Sequence, residues 1–309
     1  MYSDQGEGMF NKLLVPLDGS KTAEKALPYA RYLAQDKNVV VELLAVVDVA
    51  NMASHMTAER ALHLDTMVDD AVRASEKYLQ AVAATLTAAK IKTVVDSGRP
   101  EEVIIEKAAA DQDTLITMAT HGRSGMNRWL LGSVAEKVLR GASNPVLLIR
   151  ATENTRREGA PTLKSLIVPL DGSDLAERVL PVAIELAKQR DLEILLIRAY
   201  NIPTSAYAGI EGYALPMDDL LKEMRDEACE YLENKVADVK KLGIARVSFT
   251  AKEGLPADEI ISFARNLPGG LIAMSTHGRS GVRRWVLGSV TETVVRHSEN
   301  PVLVIRAST

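Results

Sequence analysis

Two glycine-rich turns carry the residues best suited to chemistry. THGRSGMNRWLLGSVAEKVL begins at Thr120, and THGRSGVRRWVLGSVTETVV begins at Thr276. In the first, Gly122 and Gly125 precede Gly132 and Ser133; in the second, Gly278 and Gly281 precede Gly288 and Ser289. Glycines let the backbone approach a ligand where a Cβ would obstruct it. Successive N–H groups in such a turn form an anion-binding nest. A helix that starts at the Gly-Ser pair adds unpaired N–H groups and a positive dipole end. Phosphate is the expected guest. A competing reading is structural. SVAE and SVTE match a capping box, pairing Ser133 with Glu136 and Ser289 with Glu292 in the service of the helix alone.

A second pair of candidates is Asp18 and Asp171, each in the sequence PLDGS. A carboxylate after a first strand suits the amino group of an adenine or a ribose hydroxyl. An Asp before Gly also serves simply to form a turn. Arg123, Arg128, Arg279, Arg283 and Arg284 flank the glycine turns, where arginines are either solvated or in reach of an anion. His121 and His277 have no partners from which a metal site could be assembled. Trp129 and Trp285 read as packing residues.

These residues occur in a chain that repeats itself. Of 31 paired positions running from Thr120 and from Thr276, 21 are identical. LLVPLDGSKTAEKALPYA, from Leu13, likewise matches LIVPLDGSDLAERVLPVA, from Leu166. The offset is 153 residues at Asp18 and Asp171 and 156 at Gly122 and Gly278, so the second copy carries three extra residues. They fit best in the stretch NIPTSAYAGIEGYALPM. A unit of this length is a duplicated domain rather than a solenoid repeat.

Each copy alternates strand and helix. In the first, KLLVPL, VVVELLAVV, IKTVVDSG, DTLITMAT and PVLLIR read as strands. A long amphipathic helix is expected over residues 66–90, with Val68, Val72, Leu79, Val82 and Leu86 near one face. Pro100 opens another helix. Such alternation implies a mostly parallel, doubly wound sheet covered by helices on both faces. Ligands bind such sheets beyond the carboxyl ends of the strands, where strand order reverses. The turns after the first and fourth strands should meet there.

Composition narrows the function. A net charge of −4 and 4% aromatic content disfavour a nucleic-acid binder. Cys229 is the sole cysteine, so no internal disulfide forms, and it reads as a small core residue. No segment has the apolar length of a membrane helix or a signal peptide, so a cytoplasmic protein is expected. The phosphate-loop lysine motif, the first-strand G-x-G-x-x-G and the hydrolase elbow are all absent. No nucleophile–base pair is shared by the two copies, so no catalytic residue is assigned.

These features resemble the universal stress protein family, and the chain looks like a tandem of two such domains. The resemblance covers residues 10–151 and 162–307. It implies, in each half, a five-stranded parallel sheet with helices on both faces, of the adenine nucleotide alpha hydrolase-like, Rossmann-like type. The expected division is a flexible segment at residues 1–9, a domain at 10–151, a linker at 152–161 and a second domain at 162–309. The ATP-binding branch of the family is marked by G-x-x-G, nine residues, then G-[ST]. Both copies match its later part, with Ala119 and Ser275 standing in for the first glycine. The resemblance implies that Pro16 and Asp18 border the adenine and ribose, with Val46 against the base. Gly122, Gly132, Ser133 and Val134 would hold the phosphates. Pro169, Asp171, Ala199, Gly278, Gly288, Ser289 and Val290 take those places in the second half. It also implies a Mg²⁺ or Mn²⁺ ion accompanying the nucleotide, with metal ligands of the protein unassigned. The last strands, PVLLIR and PVLVIR, would pair as an internal pseudo-dimer, with a homodimer of the chain as a further expectation.

The expected function is that of an ATP-binding regulator or sensor in the stress response, acting on a protein partner. Two alternatives differ in class. One is a slow ATPase or phosphotransferase with serine as acceptor; the other is an interaction module that holds no nucleotide.

Overall fold

The computed structural model describes residues 10–35, 39–54, 57, 63–86, 90–120, 131–150, 161–202, 217–276 and 287–306. The chain divides into two compact units, residues 1–162 and 163–309. The expected N-terminal segment and residues 152–160 of the expected linker lie outside the described residues.

The first unit runs β1 (Lys12–Pro16), a short 3-10 turn (Ala23–Ala26), α1 (Leu27–Leu33), β2 (Val40–Val47), α2 (Val49–Ser54) and α3 (Leu64–Ala83). It continues through β3 (Lys90–Ser97), α4 (Pro100–Ala109), β4 (Thr114–Ala119), α5 (Ser133–Gly141) and β5 (Val146–Ile149). The second unit repeats the order: β6 (Ser165–Pro169), α6 (Asp174–Glu177), α7 (Leu180–Arg190), β7 (Glu193–Tyr200) and α8 (Met217–Lys241). It ends with β8 (Val247–Glu253), α9 (Pro256–Arg265), β9 (Gly270–Ser275), α10 (Ser289–His297) and β10 (Val302–Ile305).

Within the first unit the strand order is β3-β2-β1-β4-β5, and within the second it is β8-β7-β6-β9-β10. The pairings are parallel. Burial explains the order. Every residue of β4, β5, β9 and β10 is buried, as continuous apolar runs require when both sheet faces are covered. β3 is exposed along much of its length, and its Lys90 and Lys92 suit a strand at the margin of its unit's sheet. The first unit's core gathers Leu13, Leu14, Leu43, Leu79, Ile104 and Ile116, each at most 2% exposed.

The long helix α3 stops at Ala83, short of the expected residue 90. The chain there tightens into a turn. Thr85 N–H and Leu86 N–H donate to Val82 and Ala83 carbonyls, and Thr85 Oγ1 bonds Val82 O at 2.7 Å. A β-branched residue whose hydroxyl takes a backbone carbonyl favours that break. Leu79, Val82 and Leu86 are buried, while Val68 and Val72 are half-buried. Pro100 opens α4 as expected, and Pro256 does the same for α9.

At the far end of the sheet from the carboxyl termini of the strands, Asn144 is buried, and its amide donates to the carbonyls of Asp111 (3.0 Å) and Thr114 (3.2 Å). Asn300 makes the corresponding bond to Gly270 O at 3.0 Å. Each asparagine ties the foot of the last helix to the start of the fourth strand.

Candidate functional site

The turn after β1 is built by the sequence DGS. Asp18 is exposed, and its Oδ1 accepts from Ser20 N–H at 2.9 Å; Ser20 Oγ then accepts from Ala23 N–H at 3.0 Å. Gly19 between them has φ +80°, a conformation that excludes most other residues. The second copy repeats the turn. Asp171 Oδ1 accepts from Ser173 N–H at 2.9 Å and from its hydroxyl at 2.6 Å, Ser173 Oγ accepts from Ala176 N–H at 3.2 Å, and Gly172 has φ +87°. One carboxylate oxygen of each aspartate thus shapes its own turn, so the structural reading of these residues holds. It leaves the functional reading compatible, because the same bond fixes where the carboxyl group stands.

Strand order brings the other candidates to the same end of the sheet. β1 lies between β2 and β4, which is where the winding reverses. Pro16 is level with Leu44 of β2, and Leu17 N–H donates to Leu44 O at 2.8 Å. Val46, half-buried, follows two residues on, and Thr120 continues β4 by donating to Ile149 O at 2.9 Å. In the second unit Pro169 is level with Ile197, Ala199 follows half-buried, and Thr276 donates to Ile305 O at 2.9 Å.

The helix heads are nearly superposable in conformation. Gly132 and Gly288 are the N-cap residues, both with φ −59° and ψ near 143°. Their N–H groups donate back to Thr120 O (2.6 Å) and Thr276 O (2.9 Å). The first helical bonds run from Glu136 N to Gly132 O and from Glu292 N to Gly288 O, both 2.8 Å. The N–H groups of Ser133, Val134 and Ala135, and of Ser289, Val290 and Thr291, therefore precede the helical ladder. The dihedral angles at Gly132 and Gly288 are open to any residue. What glycine supplies here is the absence of a side chain beside a row of unladdered N–H groups.

This corrects the capping-box reading. Ser133 and Ser289 occupy the first helical position rather than the cap, and neither helix has a side-chain cap bond. Glu136 and Glu292 are one position too far along to close the box; they bond Arg140 (3.2 Å) and Arg296 (2.9 Å) a turn further on. Both serines are exposed.

Gly122, Gly125, Gly278 and Gly281 lie outside the described residues, as do His121, His277, Trp129, Trp285 and the five candidate arginines. Among the described residues, no group of three or more His, Cys, Asp or Glu side chains could hold a metal. No helix among them is long and apolar enough to cross a membrane. Cys229 is half-buried rather than a core residue, because Ala228 and Leu232 carry the inward stripe of α8.

Sequence reasoning passed over one feature of this end of the fold. Tyr78 O–H donates to Glu24 Oε1 at 3.4 Å, and Tyr231 O–H donates to Glu177 Oε1 at 2.8 Å. The signal was present, since both pairs keep the 153-residue offset of the aspartates; the three extra residues of the second copy therefore lie after Tyr231 and before Gly254, the counterpart of Gly98, rather than in the expected stretch at 201–217.

A doubly wound parallel domain with a glycine-capped helix head at its switch point, present twice, defines a class of tandem α/β proteins. The chain belongs to the universal stress protein family, whose sequence model matches residues 9–150 and 162–306. A universal stress protein of Methanocaldococcus jannaschii is 35% identical over 152 residues, 48% of this chain and 86% of that protein. One of Mycobacterium tuberculosis is 25% identical over 313 residues, covering 96% of each chain. The crystal structure of a universal stress protein from Archaeoglobus fulgidus shares the fold over 96% of this chain and 99% of that one, with a TM-score of 0.66 at 23% identity. Membership places the protein in the stress response.

Proposed function

We propose that each domain binds ATP with a divalent cation, and that occupancy regulates a partner in the stress response. The observation that carries this reading is the pair of glycine caps. Each leaves three N–H groups ahead of the helical ladder, follows the strand adjacent to the one that leads into the carboxylate turn, and has no conformational need to be glycine. That donor set fits a phosphate chain. Ser133 and Val134, or Ser289 and Val290, would hold phosphate oxygens. Asp18 and Pro16, or Asp171 and Pro169, would border the ribose and base, with Val46 or Ala199 on the second strand beneath it. Gly122 and Gly278 complete the proposed phosphate contacts. The cation would be held by phosphates and water. Ligand-linked regulation follows if the bound and empty forms differ in affinity for the partner.

Calorimetry with ATP and Mg²⁺ tests the reading. Two molecules bound per chain are expected, and no binding at millimolar nucleotide would refute it.

A second reading is favoured by one observation. Ser133 and Ser289 are exposed and uncommitted to capping, so either hydroxyl is placed to accept a phosphoryl group. Phosphoserine at either position after incubation with ATP, detected by mass spectrometry, would support a slow phosphotransferase. Unmodified protein that retains ATP supports the binding role.

A further inference from the structure

Among the described residues, the two domains differ in the layer behind the aspartate turn. In the first, Glu24 bonds Lys21 at 2.8 Å and accepts the long bond from Tyr78. In the second, Glu177 bonds Lys235 at 2.6 Å with one oxygen and accepts Tyr231 O–H at 2.8 Å with the other. Arg198, 7% exposed, lies with its guanidinium 4.9 Å from the centre of the Tyr231 ring and donates to Glu227 at 2.8 Å. Lys235 sits over the same ring at 5.6 Å. The equivalent positions in the first domain are Ala45 for Arg198 and Val82 for Lys235, both buried and apolar.

The second network ties three elements together: the α6 turn through Glu177, the long helix α8 through Tyr231, Lys235 and Glu227, and strand β7 through Arg198. It reaches the candidate site at two places. Arg198 precedes Ala199 on β7, and Glu177 ends the short helix that Ser173 caps just after Asp171. Burial and the hydrogen bond to Glu177 push the Tyr231 phenol upward from its usual range, and the Asp171 carboxylate acts in the same direction. A site held still before binding loses less conformational freedom when its ligand arrives.

We propose that Tyr231 and Glu177, braced by Arg198 and Lys235, are positioning residues that make the second nucleotide site the tighter of the two. The proposal rests on the ATP-binding reading above. Both tyrosines donate to a carboxylate that a lysine also holds, but Tyr78 does so at 3.4 Å beside an exposed Lys21 and Tyr231 at 2.8 Å beside a half-buried Lys235. Charge-assisted hydrogen bonds are the stronger kind, and the shorter one holds its partners more firmly. The first domain has no counterpart of the buried Arg198.

The test uses the full chain with one site closed. Gly132→Val leaves the second site to be titrated with ATP and Mg²⁺, and Gly288→Val leaves the first. The second site should bind more tightly. Adding Tyr231→Phe to the Gly132→Val chain should weaken ATP binding about fivefold to tenfold, the size expected when a side chain held beforehand must instead be ordered on binding. Adding Tyr78→Phe to the Gly288→Val chain should change it less than about twofold. Glu177→Gln keeps the shape of the side chain and must weaken the second site in the same direction. Loss of the Glu177 bond lowers the ligand-free melt in either case, so the affinities are compared well below the melt, where every variant is folded. There positioning weakens ATP binding, whereas a merely structural role leaves the affinity unchanged. Equal affinities, or equal losses in both backgrounds, would overturn the proposal while leaving the nucleotide reading standing. Failure of both single-site chains to bind ATP would overturn the nucleotide reading and the proposal with it.

Discussion

The two domains keep the same helix head and diverge behind the carboxylate turn. At Gly132 and Gly288 the backbone angles, the bond back to the fourth strand and the start of the helical ladder are matched. Behind the turn, Ala45 and Val82 of the first domain give way to Arg198 and Lys235 of the second. The difference teaches where a duplicated fold has freedom. A helix head that must present bare N–H groups tolerates little change, whereas the layer supporting it can be apolar or ionic. Either filling works if every polar group introduced finds a partner, and in the second domain Arg198 finds Glu227 and Lys235 finds Glu177.

The largest expected effects fall on what the domains share. Gly132→Val and Gly288→Val should each remove one bound ATP from a stoichiometry of two, and the double variant should bind none. The backbone at both positions accepts valine, so circular dichroism should stay unchanged. Two sites retained in the double variant would break the equivalence of the helix heads. Next come the matched core positions. Leu13→Ala and Leu166→Ala remove side chains that are 1% and 0% exposed. Each should cost its own domain about 2–5 kcal/mol in denaturant unfolding. A clear inequality would show that the cores have diverged along with the networks.

Smaller effects should appear behind the carboxylate turn, most of them in the second domain. Arg198→Ala removes a buried cation, yet Glu227 is left with a side chain 69% exposed and can return to water. The cost should be about 1–2 kcal/mol, below the 3–5 kcal/mol of a fully buried pair left half-empty. The raised Tyr231 pKa gives a pH signature with a definite sign. Stability from a group whose folded pKa is raised is fully present below its unfolded value and is lost as pH climbs through the folded value. The second domain should therefore lose stability above about pH 10, the ordinary tyrosine range, and Tyr231→Phe should remove that dependence in alkaline unfolding titrations. Smallest of all, Lys21→Ala removes the exposed partner of a pair three residues apart and should change stability by less than about 1 kcal/mol.

Much of this was legible in the sequence because it depends on local pattern. Alternating apolar runs gave the strand order's ingredients, Pro100 marked a helix start, and the repeated PLDGS and Gly-Ser segments marked the two turns that the strand reversal brings to one end. The errors have physical causes. The capping box failed because glycine took the cap, shifting serine and glutamate one place along the helix. Cys229 lies one residue off the inward stripe of α8, a distinction that periodicity resolves poorly. The end of α3 depended on one threonine hydroxyl. The Tyr231 network was hidden because its members come from three elements, and only the fold brings Arg198 against α8.

The asparagines at the opposite end of the sheet give each domain a fixed base. Asn144 and Asn300 fasten the tail of the final helix to the chain that starts the fourth strand. Each helix is thus a beam pinned at both ends, its head by the single glycine N–H bond to the fourth strand and its tail by the asparagine. Amide exchange should show protection falling toward the unladdered N–H groups of Ser133 and Ser289, and rising at those heads when ATP is added.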